Sequence, residues 1–399
     1  MKLLKLFALP VIGLLGLFAG PNAQAQTQTY GQLLEDAARH LGQKNYCEAT
    51  TAFKRALTDS TQVGPFDLYA GAGAAANCPG QQGQALRWLL QLTRQANVPI
   101  TARDVDNMAQ DESFSSLHGF AEWSRFLAGM RQVAARRTTE AQHAAAEWRR
   151  NALNQALPVP TKKGRYAAVS PGFALYHAPV DTVQVPYLVY VPNSYQPTRP
   201  AALLVYLHGG VASTTQFQAS DPGVAQEPVF AAAAEQHALV LYPFGRQSFG
   251  WLEQRAALDN VRTMVEQVKQ RYHIDSRRVY LGGMSNGGTA AFWYACQSPA
   301  GFAGFFALSA LPVSALGPLN FMQLRRGASF YSLHAQDDQV VAYQEVQAIY
   351  AQHQEQARQW HFETLPTGGH AFLYGPEGAT ALRELLTRMM RKPGSGQVQ

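Results

Sequence analysis

Two patterns of apolar positions divide the chain. From about Tyr30 to Leu157 apolar residues recur at spacings of three and four, alanine is abundant and β-branched runs are missing. That pattern predicts amphipathic helices. Leu34, Ala38 and Leu41 make one stripe, and Ala49, Phe53 and Leu57 make the next. Segments 111–128 (with Phe114, Leu117, Trp123 and Leu127) and 138–157 predict at least two further helices. Pro158 and Pro160, followed by Lys162-Lys163-Gly164, then break the pattern. After Gln184 apolar residues gather in short runs at 187–191, 201–207, 238–242, 278–281, 305–308, 330–333 and 360–364. Most are continuous, as in strands covered on both faces. Amphipathic stretches at 224–237, 256–272, 287–297, 343–359 and 380–391 lie between and after them. The alternation predicts an α/β fold, a mostly parallel sheet with helices on both faces, preceded by a smaller all-α domain.

The N-terminus reads as a leader. Met1 to Lys5 is basic, Leu6 to Ala19 is apolar but broken by Pro10, Gly13 and Gly16, and Ala23-Gln24-Ala25 offers small residues for cleavage before Gln26. The apolar run falls short of the roughly 20 residues that span a bilayer. The expected organisation is therefore a signal peptide (1–25), a helical domain (26–157), a linker (158–184), an α/β domain (185–392) and a disordered tail (393–399). The mature chain is expected in a periplasm or outside the cell, with no integral membrane segment.

Charge and cysteine content narrow the picture further. The formal charge of +6 includes Lys2 and Lys5 of the leader, and the remaining basic residues are scattered, which argues against a nucleic-acid partner. Three cysteines are too few for a disulfide scaffold. In an oxidising compartment Cys47 and Cys78 can form a bridge, or all three can be buried thiols. Neither an H-E-x-x-H pattern nor a phosphate-cradling or dinucleotide loop is present, so no metal or cofactor is expected.

The chemistry centres on Gly283-Met284-Ser285-Asn286-Gly287. This G-x-S-x-G stretch sits between a predicted strand and a predicted helix, where a tight turn lifts a serine hydroxyl above the sheet edge. It also puts the serine at a helix N-terminus, which favours developing negative charge. A base must follow Ser285, and His334, His353, His361 and His370 do. His353 falls in a helix, His361 in a strand, and His334 at a strand end before an acidic pair. His370, in a glycine-rich loop after the last strand, is the predicted base. Asp337-Asp338 follows the preceding strand; one of the two orients the imidazole and the other is expected to be a solvated turn or capping residue. Leu207-His208-Gly209-Gly210 ends an apolar strand. The expected oxyanion donors are the N–H of Asn286 and one from Gly210 or Val211. Phe249 and Trp251 either line an acyl pocket or pack under a loop.

Two resemblances add to this. Gly42, Tyr46, Ala49, Phe53 and Leu57, with Ala85, Leu89 and Leu92 about 35 residues on, resemble tetratricopeptide repeats. This implies either a docking surface for a protein partner or a packing appendage. Residues Tyr187-Leu-Val-Tyr-Val-Pro192, Leu204-Val-Tyr-Leu-His-Gly-Gly210, Tyr272-His-Ile-Asp-Ser-Arg-Arg-Val-Tyr280 and Gly282-Gly-Met-Ser-Asn-Gly-Gly288 resemble the α/β-hydrolase superfamily. They are similar to secreted esterases related to polyhydroxybutyrate depolymerases and feruloyl or acetylxylan esterases, and to prolyl-oligopeptidase-like predicted peptidases. The H-G-x-x-D frame of such families selects Asp338 within His334 to Ala342, although Ala335 and Ala342 replace the usual glycine and proline. The resemblance implies a Ser285, Asp338, His370 triad acting on a small-molecule or polymer ester. A peptidase with the same triad is the alternative, and a non-catalytic binding module the more distant one.

Overall fold

The structure, a computed structural model, describes residues 29–58, 63–95, 98–160 and 166–391. The leader and the tail predicted from sequence lie outside these residues. The chain forms two compact units, Met1–His143 and Ala144–Gln399.

The first unit is helical: α1 (Tyr30–Gly42), α2 (Tyr46–Ala56), α3 (Pro65–Ala76), α4 (Gln82–Leu92), α5 (Ala102–Ala109) and α6 (Ala121–Glu147), the last ending just past the division. Thr29 and Thr101 cap α1 and α5 by accepting a backbone N–H and are answered by Gln32 and Asp104. Helices α1 with α2, and α3 with α4, pack as neighbours around Ala37, Ala49, Phe53, Leu68, Ala72 and Leu89. The close spacing depends on small residues: a Cβ on Gly71 would meet Leu57 and Phe53 within 3.1–3.3 Å. Cys47 and Cys78 are joined by a disulfide across 31 residues, while Cys296 in the other unit is a buried free thiol. The first stripe is shifted from the expected one. Leu33 and Ala37 are buried and Ala38 is exposed, because Leu34 and Leu41 flank the core rather than fill it. Of the segments read as further helices, 111–128 holds a short 3₁₀ turn (Glu112–Leu117) and the start of α6, and 138–157 holds the end of α6, a π-helical turn (Trp148–Ala152) and a two-residue strand (Leu153–Asn154).

The second unit is a nine-stranded sheet in the order β1-β2-β3-β5-β4-β6-β7-β8-β9. Its strands are β1 (Leu153–Asn154), β2 (Gly172–Val180), β3 (Val183–Val191), β4 (Ala201–Leu207), β5 (Ala238–Pro243), β6 (Ile274–Met284), β7 (Gly304–Leu308), β8 (Ser329–Ala335) and β9 (Trp360–Leu365). From β5 to β9 in that order every neighbouring pair is parallel, whereas β2 pairs antiparallel with β3, and β3 with β5. All seven predicted apolar runs are strands. Residues 158–184, read as a linker, contain β2, whose alternating burial marks one half-exposed face. Helices α7 (Pro228–Glu235), α8 (Arg255–Arg271), α9 (Asn286–Gln297), α10 (Tyr343–His353) and α11 (Pro376–Met390) complete the unit.

Strand β4 shows how the layers form. Leu203, Val205 and Leu207 point into the core shared with α8 and α9, while Ala202, Leu204 and Tyr206 point into the one shared with α7 and α11. The chain passes from β4 to β5 on one side and then crosses to β6 on the other. This reversal opens a crevice at the carboxyl ends of the strands, where open α/β sheets bind ligands.

Candidate active site

Ser285 stands at that crevice, between β6 and α9, with φ 52° and ψ −118°. A non-glycine residue in this region is strained and persists only where its surroundings over-determine it. Here they do. The Ser285 N–H donates to the Leu308 carbonyl at 2.8 Å, and the Ser285 carbonyl accepts from Thr289 N–H at 2.9 Å. A Cβ on Gly283 would lie 2.2 Å from the Leu207 carbonyl oxygen, and one on Gly287 only 1.8 Å from it. Both glycines of the motif are therefore required by β4 pressing against the turn.

His370 and Asp338 lie beside the serine. His370 Nε2 is 3.0 Å from Ser285 Oγ, and His370 Nδ1 is 2.9 Å from Asp338 Oδ2. Since an ionised carboxylate only accepts, Nδ1 carries the proton and Nε2 is left to accept from the serine hydroxyl. Asp338 is buried, and burial alone would raise its pKa. Hydrogen bonds from His334, His370 and the Val341 N–H outweigh that and hold the carboxyl below its ordinary range. Its Oδ1 accepts from Val340 and Val341 N–H at 2.8 and 2.9 Å. His334 is also fully enclosed; its Nε2 donates to the Val341 carbonyl at 2.9 Å and lies 3.3 Å from Asp338 Oδ2. His353 and His361 instead stack on Phe321 and Tyr331.

Asp337, half-buried in the turn after β8, caps a distant loop. It accepts from Gly368 N–H (3.2 Å) and Gly369 N–H (2.8 Å), fixing two glycines at φ +124° and +59° just before His370. Ser309 Oγ donates to the His370 carbonyl at 2.8 Å. These two residues hold the loop, and no local pattern signals either, because their partners are 31 to 61 positions away.

A cavity of about 580 Å³ opens above the serine, lined among others by Gly210, Ser285, Asn286 and His370. Gly210, at φ +70°, and Asn286 thus face the space where an oxyanion would form, while the Val211 side chain is buried against Gly250. His208 braces this loop: its Nδ1 donates to the Gly209 carbonyl at 2.6 Å and its Nε2 accepts from Gly245 N–H at 3.0 Å. Burial pushes its pKa down to about 4, partly offset by the Gly209 bond, so the ring is neutral. Trp251 and Phe249 are buried and do not line the cavity; Trp251 packs edge-on against His208. The loop at 212–228 walls the cavity through Thr214, Gln218, Asp221, Val224 and Glu227.

The phospholipase/carboxylesterase family model matches residues 248–375, a stretch that contains Ser285, Asp338 and His370. A bifunctional acetylxylan esterase/xylanase of Neocallimastix patriciarum is 27% identical over 172 residues, which is 42% of this chain and 23% of that protein. The chain thus spans about a quarter of that relative's length. Among solved structures, a thermostable esterase is similar at 20% identity, with 55% of this chain and 63% of that one covered and a TM-score of 0.44. The acylaminoacyl peptidase of Pyrococcus horikoshii is similar at 12% identity, with 57% and 43% covered and a TM-score of 0.45. Strand order and the strained serine turn give the sheet unit an α/β-hydrolase fold, with a helical unit ahead of it in the chain, and the stretch that carries the turn matches the phospholipase/carboxylesterase family model.

Proposed function

We propose that the sheet unit hydrolyses carboxylic esters through an acyl-serine intermediate. One observation carries this reading: the unbroken run of hydrogen bonds from Ser285 through His370 to Asp338 at the edge of a cavity. Ser285 Oγ attacks the acyl carbon as His370 Nε2 takes its proton. The tetrahedral oxyanion is held by the N–H of Asn286 and a second N–H from the Gly210 turn. When the C–O bond breaks, His370 returns the proton to the leaving alcohol. Water then repeats the cycle on the acyl-enzyme, releasing the acid. Asp338 keeps the imidazole in the required tautomer and stabilises its charged form.

The acetylxylan esterase relative supports short acyl groups as substrates, and the export reading is supported by the disulfide, which belongs to an oxidising compartment. The test is turnover of nitrophenyl acetate by the mature protein beside Ser285→Ala and Asp338→Asn. The serine variant should lose about 10⁴- to 10⁶-fold in kcat with its melting unchanged, and the acid variant somewhat less. Turnover of peptide amides but not esters would replace this reading with a peptidase. Ester turnover that survives in Ser285→Ala would remove it.

A further inference from the structure

Resting on the ester-hydrolase reading and deepening it, we propose that Glu227 determines specificity. It selects substrates whose group beyond the ester donates hydrogen bonds, a hydroxyl or an ammonium, and rejects those carrying an anion there. Glu227 lines the same cavity as Ser285 and His370 but takes no part in the proton chain described above. Its carboxylate is gripped loosely. Oε1 accepts from the Tyr242 and Tyr374 hydroxyls and Oε2 from Tyr374, each at 3.3 Å. A carboxylate offers about four acceptor positions, so Oε2 in particular retains capacity for a donor arriving in the cavity.

Three features set the sign of what it accepts. Neither lysine nor arginine lines the cavity among the described residues, whereas Asp221 does, so the wall is acidic. The groups that hydrogen-bond Glu227 are the Tyr242 and Tyr374 phenols, and the other polar lining, such as Thr214, Gln218, Asn286 and the neutral His208, brings no lysine or arginine charge. A third phenol, Tyr206, comes from β4 on the buried side. It is within range of the Glu227 charge, and its fully buried hydroxyl has no hydrogen-bond partner among the described residues. Tyr206 does not line the cavity and gives Glu227 no hydrogen bond, so the carboxylate has only the two long phenol contacts among the described residues. Burial raises the Glu227 pKa, against the hydrogen bonds from the two tyrosines. A carboxylate short of solvation gains more than a surface one from a donor that arrives with the substrate.

Four acetate esters of one shape test this: cyclohexyl acetate and its trans-4-hydroxy, trans-4-amino and trans-4-carboxy derivatives, followed by acetate release. The wild-type kcat/KM of the hydroxy or the amino ester should exceed that of the carboxy ester by tenfold or more, with plain cyclohexyl acetate between them. Which of the two leads tells hydroxyl from ammonium recognition. In Glu227→Gln the spread should shrink to a few-fold. As a ratio it cancels any common damage to catalysis or folding. In the wild-type protein the ratio of the hydroxy ester to plain cyclohexyl acetate, neither of which titrates, should fall as the pH drops and Glu227 is protonated, since any effect of pH on the shared catalytic groups acts on both esters alike. Equal turnover of the four esters, or a spread unchanged in Glu227→Gln and flat with pH, overturns the inference and leaves the ester reading standing. Turnover of none by a protein that is folded overturns both.

Discussion

In the helical unit alanine and glycine let helices close on one another, and a covalent bond ties α2 to the turn after α3. In the sheet unit, by contrast, strands such as β5 are buried along their whole length, the only cysteine is a free thiol, and the tight places are backbone against backbone at the serine turn. The first arrangement spends its specificity on holding a shape, and the second on holding a few polar groups in positions they would not adopt alone. It follows that perturbations of the helical unit should register mainly in stability, and perturbations around the crevice mainly in rate.

The largest effect separating the two should come from the disulfide. Closing a loop of this length restricts the unfolded chain by about 4 kcal/mol in the loop-entropy picture. Cys47→Ala should lower the denaturant midpoint of the helical unit accordingly and leave ester turnover at its original value. A loss of turnover at a temperature where both units remain folded would break the division of labour.

Next is the pH response of the sheet unit. His208 has its pKa pushed down to about 4 in the folded protein, whereas an unfolded histidine titrates near 6.5. The unfolded chain therefore binds the proton first, and stability falls as the pH is lowered from about 6.5 to about 4, then levels off for this group. The ring edge reaches the cavity, so the contribution is discounted to on the order of 2 kcal/mol. Urea midpoints of wild type and His208→Gln across this range measure it: the slope between pH 6.5 and 5 should be weaker in the variant. The Asp338 carboxyl, held below its ordinary range, adds a loss only at lower pH.

The smallest effect sharpens the comparison within the crevice. Asp337→Asn retains one acceptor oxygen for the Gly368 and Gly369 N–H groups and loses the other, a change of about 1 kcal/mol. Because the loop carries His370, kcat should fall by several-fold to tenfold while the melting temperature barely moves. Equal kcat in wild type and variant would mean that Ser309 alone positions the loop.

How much of this could be read from sequence follows from how local each feature is. The serine turn is written in five consecutive residues, with the glycines that β4 demands, and the order of elements points to His370. The choice of Asp338 over Asp337 came from a family frame; the residues themselves left both open, since each follows β8 and each accepts from backbone N–H groups. Strand β2 escapes the reading because its short apolar run Phe173-Ala-Leu-Tyr176 is closed by His177 and followed by Pro179, and it adjoins the proline-broken stretch that reads as a linker. The shift from Ala38 to Ala37 in α1 reflects a stripe of small residues whose helical phase is poorly fixed by two or three leucines. Glu227, Tyr242 and Tyr374 stand on three separate segments and meet only when the sheet and its loops are assembled.

The hydrogen bonding of Asp338 has one more consequence. Two backbone N–H groups donate to one of its oxygens and the His370 imidazole to the other, while the His334 Nε2–H, given mainly to the Val341 carbonyl, lies 3.3 Å from that second oxygen. In the proposed cycle the carboxylate would keep its other donors if His370 turned toward a departing alcohol, and no bare charge would be left behind. On that proposal the acid is a fixed socket into which the base plugs.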